Sequence, residues 1–381
     1  MGVLRRSTDY QTDMRVCFLT PTLELHGGNL VMLKYAGDLV ARGHEVTLVA
    51  PVSAREIAVP RGVRLVTYPA RPGRLVFYSF QLVYLSRVRR CLADEFDVVI
   101  PVFTPLSVHA AYAGWRLRAR FRIVLLYQDF FSMVWVGRYL RFLLGQRWLM
   151  RKLDRVIAVS SGAAAEFAQA SGLSPVMIPN GIDEVFFEAR SLSKKPYVLF
   201  VGRPGKSKGF DVFQQAMCRV RTAEPTVNAV LVSSAVADGQ IEGITTVRYR
   251  DRAQLRDFYG RAMVYVHAAI GESFGLPPLE AMACGTACVV TDTVGTRDYA
   301  RGEENCLLVT YGDHEGMAKA ILRLVRDSDL RARLEEAGRR TAANYRWERS
   351  LARFEAELLD VVGRRPEEGQ TRQQEMPLRG R

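Results

Sequence analysis

Two carboxylates, Glu272 and Glu280, stand with seven residues between them in the run Glu-Ser-Phe-Gly-Leu-Pro-Pro-Leu-Glu, which continues Ala-Met-Ala-Cys-Gly285. Pro277 and Pro278 favour a helix start here, because a first-turn residue needs no N–H partner and proline's fixed φ suits the position. Gly275 and Leu276 would form the entry turn, and the free amides there would face an anion such as a phosphate. Glu280, one turn into the helix, can accept hydrogen bonds from ribose hydroxyls. Glu272, ahead of the turn, can accept them from a sugar ring. Two acids flanking a phosphate-binding turn make an unusual structural device.

A second run, Gly202-Arg-Pro-Gly-Lys-Ser-Lys-Gly209, follows an apolar strand. Glycine permits close backbone approach. Arg203, Lys206 and Lys208 bring positive charge to a helix N-terminus, which suits a diphosphate. The run is neither a Walker phosphate loop nor the dinucleotide Gly-x-Gly-x-x-Gly, and a basic turn without a ligand fits the same residues.

These loops need elements to hold them. Strand-like runs at 15–20, 45–50, 63–68, 97–101, 122–127 and 155–159 alternate with helical patterns at 30–42, 77–93, 108–118, 138–153 and 163–170. After a linker at 191–196 the alternation restarts, with strands at 197–201, 228–232, 246–249, 263–267, 288–291 and 306–309. Helical patterns at 210–222, 254–261, 277–283, 317–326 and 329–343 separate them or follow. Such spacing predicts βαβ units and an α/β fold of two doubly wound Rossmann-like domains. Ligands then sit beyond the carboxyl ends of the strands. The predicted divisions are 1–190, 191–344, a last helix at 345–362 that crosses back to the first domain, and a charged, Gln-rich disordered tail at 363–381.

Length agrees, since 381 residues exceed what one core usually organises. Hydrophobic residues at 48% and charged residues at 24% describe an ordinary globular chain. No apolar run reaches the roughly 20 residues of a membrane span, and residues 1–13 are polar, so a cytoplasmic location is expected. The six cysteines form no Cys-x-x-Cys pair and are read as reduced thiols without a zinc site. The net charge of +13 falls mostly in residues 1–190. It implies an anionic partner (a lipid surface, a phosphorylated acceptor or nucleic acid) or simply a solvated basic surface. Runs 115–122 and 137–152 mix arginine with Trp, Tyr, Phe and Leu, as a face touching an anionic membrane would. A core helix with solvated arginines fits them too.

The segment 272–280 closely resembles the Glu-x(7)-Glu signature of the retaining glycosyltransferases of family 4, which have the GT-B fold. Pro21 with Gly27 and Gly28 resembles the family's glycine loop after the first strand. Val159-Ser160 and Pro179-Asn180-Gly181-Ile182-Asp183 resemble its interdomain stretch, Gly202-Arg203 with Lys208-Gly209 its diphosphate clamp, and Tyr345-Arg346-Trp347-Glu348 the start of its crossover helix. The resemblance covers residues 14–362.

It implies an N-terminal acceptor-binding domain and a C-terminal donor-binding domain. The activity would be transfer of a hexose or deoxyhexose from a nucleoside-diphosphate sugar to a glycan or lipid-linked acceptor, with retention of configuration. Arg203 and Lys208 would neutralise the departing diphosphate without a metal, and no cofactor beyond the donor substrate is implied. Glu272 would hold the donor sugar and Glu280 the ribose. Gly202 and amides near Phe274, Gly275 and Leu276 would hold phosphate and sugar oxygens, Gly27 and Gly28 would admit phosphate and acceptor, and Arg250 would lie near the base.

Where many relatives carry a histidine beside the reacting sugar, this chain reads Tyr127-Gln128-Asp129. Asp129 would orient the sugar or accept from the acceptor hydroxyl, or else cap a helix. His109 is read as structural, and His267 as support for the Glu272 loop. A nucleotide-sugar epimerase of the same fold would need acid-base groups that five histidines scarcely offer. A nucleic-acid-binding protein would need a stacking module, and none appears.

Overall fold

The structure, a computed structural model, describes residues 13–23, 27–52, 58–69, 87–102, 104–128 and 150–363. Asp129, the arginines of run 137–152 apart from Arg151, most of the 77–93 pattern and the tail from 364 lie outside the described residues.

Short runs rich in β-branched and apolar residues build the first sheet, its inner strands buried on both faces. Its strands are β1 (Arg15–Leu19), β2 (Glu45–Val52), β3 (Arg64–Pro69), β4 (Val98–Pro101), β5 (Arg122–Tyr127), β6 (Arg155–Ala158) and β7 (Val176–Met177). Their order is β3-β2-β1-β4-β5-β6-β7, and every pairing is parallel. Helices α1 (Gly27–Ala41), α2 (Thr104–Leu117) and α3 (Ser161–Ser171) belong to this lobe. The order reverses between β1 and β4, which opens a crevice at their carboxyl ends. Helix α1 begins three residues earlier than its apolar period predicts, so Gly27 and Gly28 lie in its first turn and not in a loop.

The second sheet comprises β8 (Lys195–Val201), β9 (Asn228–Ser233), β10 (Gly239–Ile241), β11 (Ile244–Arg248), β12 (Ala262–His267), β13 (Ala287–Thr291) and β14 (Leu307–Val309). They run in the order β10-β11-β9-β8-β12-β13-β14. Only β10 and β11 pair antiparallel among the described strands. The sequence pattern misses β10, a three-residue edge strand. Its hairpin turn, Glu242-Gly243, takes φ of 48° and 76°, as a two-residue hairpin requires. Helices α4 (Phe210–Ala223), α5 (Arg252–Arg261), α6 (Leu276–Ala283), α7 (His314–Arg326) and α8 (Ser328–Ala342) complete the lobe, and α9 (Trp347–Val361) ends the fold.

Helix α9 leaves the second lobe and packs on the first. Phe354 is fully buried and stacks on Tyr35 with ring centroids 4.0 Å apart, while Trp347 meets Tyr35 edge-on at 5.5 Å. His44 accepts from the Met14 amide through Nδ1, so its Nε2–H donates to Glu355 at 2.9 Å. Gly181 lies so close to Trp347 that a Cβ would overlap its backbone. Across the cleft, the Ser161 amide donates to Asp298 at 2.8 Å and the Ser273 hydroxyl to the Gln128 carbonyl at 2.8 Å. One apolar core therefore continues from Phe18 and Tyr35 through Phe354 to Phe274 and Leu279.

Phe354→Ala should cost about 3–5 kcal/mol of stability. Denaturant titration followed by circular dichroism checks it; an unchanged midpoint would show that α9 does not hold the lobes.

Candidate active site

Between the lobes lies a cavity of about 340 Å³. Two glycine-permitted close approaches set its floor. Gly209, at φ 69°, ends the single turn Lys206–Lys208 and sits where any side chain would strike the Ala268 carbonyl. The turn is thus pressed against the end of β12, and the Ile270 amide donates to the Ser207 carbonyl at 3.2 Å. Gly275, at φ 81°, caps α6, with Pro277 and Pro278 in the helix's first turn. The Tyr299 hydroxyl donates to the Gly275 carbonyl at 2.6 Å, and the Gly295 amide to the Glu272 carbonyl at 2.9 Å. These bonds pin the entry turn from beneath.

Gly27, Gly202, Arg203, Lys208, Glu272, Leu276 and Glu280 all line this cavity. Gly27, the first residue of α1, has open space where a Cβ would be. Gly28 stands beside it, its carbonyl accepting from Gln128 Nε2 at 3.4 Å. The Phe274 ring turns into the core against Tyr299 and Tyr345, while its backbone, the part expected to meet a ligand, stays in the turn. One expected residue stands elsewhere. Arg250 is exposed, its amide donates to Gln254 Oε1 at 2.8 Å, and it does not line the cavity. Tyr249 and Arg252 occupy that wall, because the bend into α5 turns Arg250 outward. Asp129 lies outside the described residues, although its neighbour Gln128 contacts Ser273 of the opposite lobe.

The two acids have different surroundings. Glu272 Oε1 meets Lys208 Nζ at 2.5 Å. Burial, the largest single effect, pushes its carboxyl upward, but the Lys208 ammonium and the neighbouring His267 together outweigh it and hold the pKa at about 2. Glu280 is 6% exposed. Arg252 Nη1 donates to its Oε1 at 2.9 Å and the Tyr259 hydroxyl to its Oε2 at 3.0 Å. Burial nevertheless lifts the Glu280 carboxyl above its ordinary range. Arg252 also reaches Asp183 of the interlobe stretch, Nε to Oδ2 at 2.9 Å. Sequence reasoning missed Arg252 and Tyr259. The only available signal was their helical spacing of seven, which puts both on one face of α5.

Among the described residues no group of three or more His, Cys, Asp or Glu side chains is gathered as a metal site. The string Asp327-Ser328-Asp329 spells Asp-x-Asp, but Asp327 caps α8, accepting from the Leu330 amide at 2.8 Å. All six cysteines are free thiols.

The glycosyltransferase family 4 domain matches residues 26–186, and the glycosyl transferases group 1 domain matches residues 181–341. Phosphatidyl-myo-inositol mannosyltransferase of Mycobacterium leprae is 31% identical over 360 residues, 88% of this chain and 93% of that protein. The protein of the same name from Propionibacterium freudenreichii is 34% identical over 210 residues, 52% of this chain, which spans about half of that relative's length at 54%. Among solved structures, sucrose-phosphate synthase from Thermosynechococcus elongatus superposes with a TM-score of 0.77 at 19% identity, over 92% of this chain and 99% of the other. Anabaena HepE in complex with UDP-glucose gives 0.71 at 18% identity, over 91% and 99%. At such identity the likeness is one of fold, the two-lobed GT-B arrangement.

The depressed Glu272 carboxyl contributes stability that is complete above the ordinary carboxylate value of 4.5 and is lost as pH falls toward about 2. Lys208→Met should flatten the acid limb of the stability profile in that window. Thermal melts between pH 2 and 6 check it; parallel wild-type and variant curves would refute the pairing.

Proposed function

Because the chain belongs to glycosyltransferase family 4, the glycosyl transferases group 1, we propose that it moves a hexose or deoxyhexose from a nucleoside-diphosphate sugar to a glycan or lipid-linked acceptor. The reading rests above all on one cavity that gathers Arg203, Lys208, Glu272 and Glu280 beneath the N-terminus of α1. Donor diphosphate lies against Arg203 and Lys208. Leaving-group charge grows as the anomeric bond breaks, so cations already in place stabilise the transition state more than the ground state. They serve as the counter-charge without a metal. The entry turn at Gly275 and Leu276 offers amides to the sugar and phosphate oxygens.

Glu280 receives the ribose hydroxyls. Arg252 and Tyr259 each occupy one of its oxygens from one side, which leaves the remaining lone pairs fixed in direction. Glu272 takes a hydroxyl of the transferred sugar once Lys208 moves to the diphosphate. Retention follows if the acceptor hydroxyl attacks from the face the diphosphate leaves, with that phosphate as the base. Asp129, next to Gln128, is the candidate for orienting sugar or acceptor. The relatives' names make mannose and an inositol phospholipid the first sugar and acceptor to try.

A peripheral contact with an anionic membrane, such as the inner face of the plasma membrane, belongs to the same reading. Trp115 is 70% exposed at the end of α2, Arg116 lies over its ring at 5.6 Å, and Arg118 and Arg120 are exposed beside it. An aromatic body with flanking cations suits a headgroup layer. No helix among the described residues is long and apolar enough to cross a membrane.

Incubation with UDP-glucose or GDP-mannose should release nucleoside diphosphate only when acceptor is present. Glu280→Gln should weaken donor binding by about tenfold or more, as loss of charge-assisted hydrogen bonds would, and Lys208→Ala should lower kcat by roughly a hundredfold. Donor affinity unchanged in the first variant, read by calorimetry, contradicts the ribose assignment. Replacing Trp115, Arg116, Arg118 and Arg120 by alanine should abolish sedimentation with phosphatidylglycerol vesicles; retained sedimentation removes the membrane contact.

A further inference from the structure

One buried polar group around the cleft plays no part in the roles above. His267 closes β12 and is 5% exposed. Thr291, on the neighbouring strand β13, donates its single hydroxyl proton to the Ala269 carbonyl at 2.9 Å. The 3.1 Å contact between Thr291 Oγ1 and His267 Nδ1 is therefore an imidazole N–H donating to a hydroxyl oxygen. That arrangement puts a proton on Nδ1, and in the neutral ring the lone pair is then on Nε2.

His267 lines the donor cavity, and its Nε2 has no hydrogen-bond partner among the described residues. The nearest acid, Glu272 Oε1, stands 3.7 Å away, beyond hydrogen-bond reach. With the ring neutral, two acceptors sit side by side, and Lys208 donates to the carboxylate alone. A buried acceptor left unsatisfied is costly, so the pair calls for donors supplied by a ligand. Lys208 already holds Oε1 at 2.5 Å and is the cation a diphosphate would draw away. Phosphate oxygens bring no protons of their own. Adjacent ring hydroxyls of a sugar bring one each.

We propose that His267 Nε2 and Glu272 Oε1 take the two hydroxyls of a vicinal diol on the transferred sugar, one apiece; this rests on the donor-pocket reading above. When the donor enters, Lys208 turns to the diphosphate, Oε1 receives the first hydroxyl and Nε2 its neighbour. His267 is then a specificity-determining ligand of the sugar and not merely support for the Glu272 loop. A donor sugar lacking either hydroxyl leaves a buried acceptor unpaired, which is how such sites reject analogues strongly.

Calorimetric titration of the full chain with UDP, GDP, UDP-glucose and GDP-mannose identifies the nucleoside diphosphate and sugar nucleotide that bind. His267→Ala should weaken that sugar nucleotide by roughly tenfold and leave its nucleoside diphosphate within about twofold, which also shows that the variant is folded. Deoxy analogues of the donor, each lacking one ring hydroxyl, should erase the difference between wild type and variant at one ring position and preserve it at the others. Equal weakening of both ligands, equal affinity of wild type and variant for the sugar nucleotide, or a difference that persists with every deoxy analogue overturns the assignment and leaves the donor site standing. Failure of the wild type to bind any of the four compounds overturns the donor-site reading and this assignment with it.

Discussion

In the proposed reaction the cleft receives a diphosphate, so it must hold positive charge before the ligand arrives, in a place only partly open to water. Unpaired cations there would be costly, and this protein reduces the cost by giving two of the cavity's cations carboxylate partners. Lys208 rests on Glu272 and Arg252 on Glu280. Each partner acid is itself a sugar ligand in the proposed reaction. Donor binding is then an exchange: an internal ion pair opens, and the donor supplies both the anion for the lysine and the hydroxyls for the glutamate.

The two pairs are not equivalent. Lys208 sits on a three-residue turn held by Gly209 against β12 and its side chain is 42% exposed, so it can leave. Arg252 is gripped from two directions, by Glu280 and by Asp183, and its guanidinium also lies 5.4 Å from the Phe186 ring. It is a fixture. The first pair therefore suits the end of the donor where bonds break, and the second the end where a nucleoside is merely recognised.

The α/β pattern, the glycine-bearing loops and the two glutamates were legible in the sequence, because period and turn chemistry are local properties. What stayed hidden depends on contacts between elements far apart in the chain. Arg250 looked like the base-side residue from its place after a strand, but one residue of helix entry turns it outward and brings Arg252 and Tyr249 to the wall. Phe274 reads as part of the phosphate turn, yet its ring belongs to a core shared with Tyr299 and Tyr345. No local signal marked β10, whose three residues are held by pairing with β11 and by Ile241 packing on the core. His267 drew only a bland reading, since its lone pair acquires meaning from Thr291 on a neighbouring strand.

Helix α9 carries a consequence for biosynthesis. Glu355 meets His44 across 311 residues of chain. At translation speeds of 5–20 residues per second, about 15–60 s separate the emergence of the two. Throughout that interval the first lobe leaves the ribosome with the Phe18 and Tyr35 face bare, an apolar surface of the kind that chaperones hold. The lobe that is made first is thus the one completed last, and a chain released before Trp347 would carry that greasy face permanently.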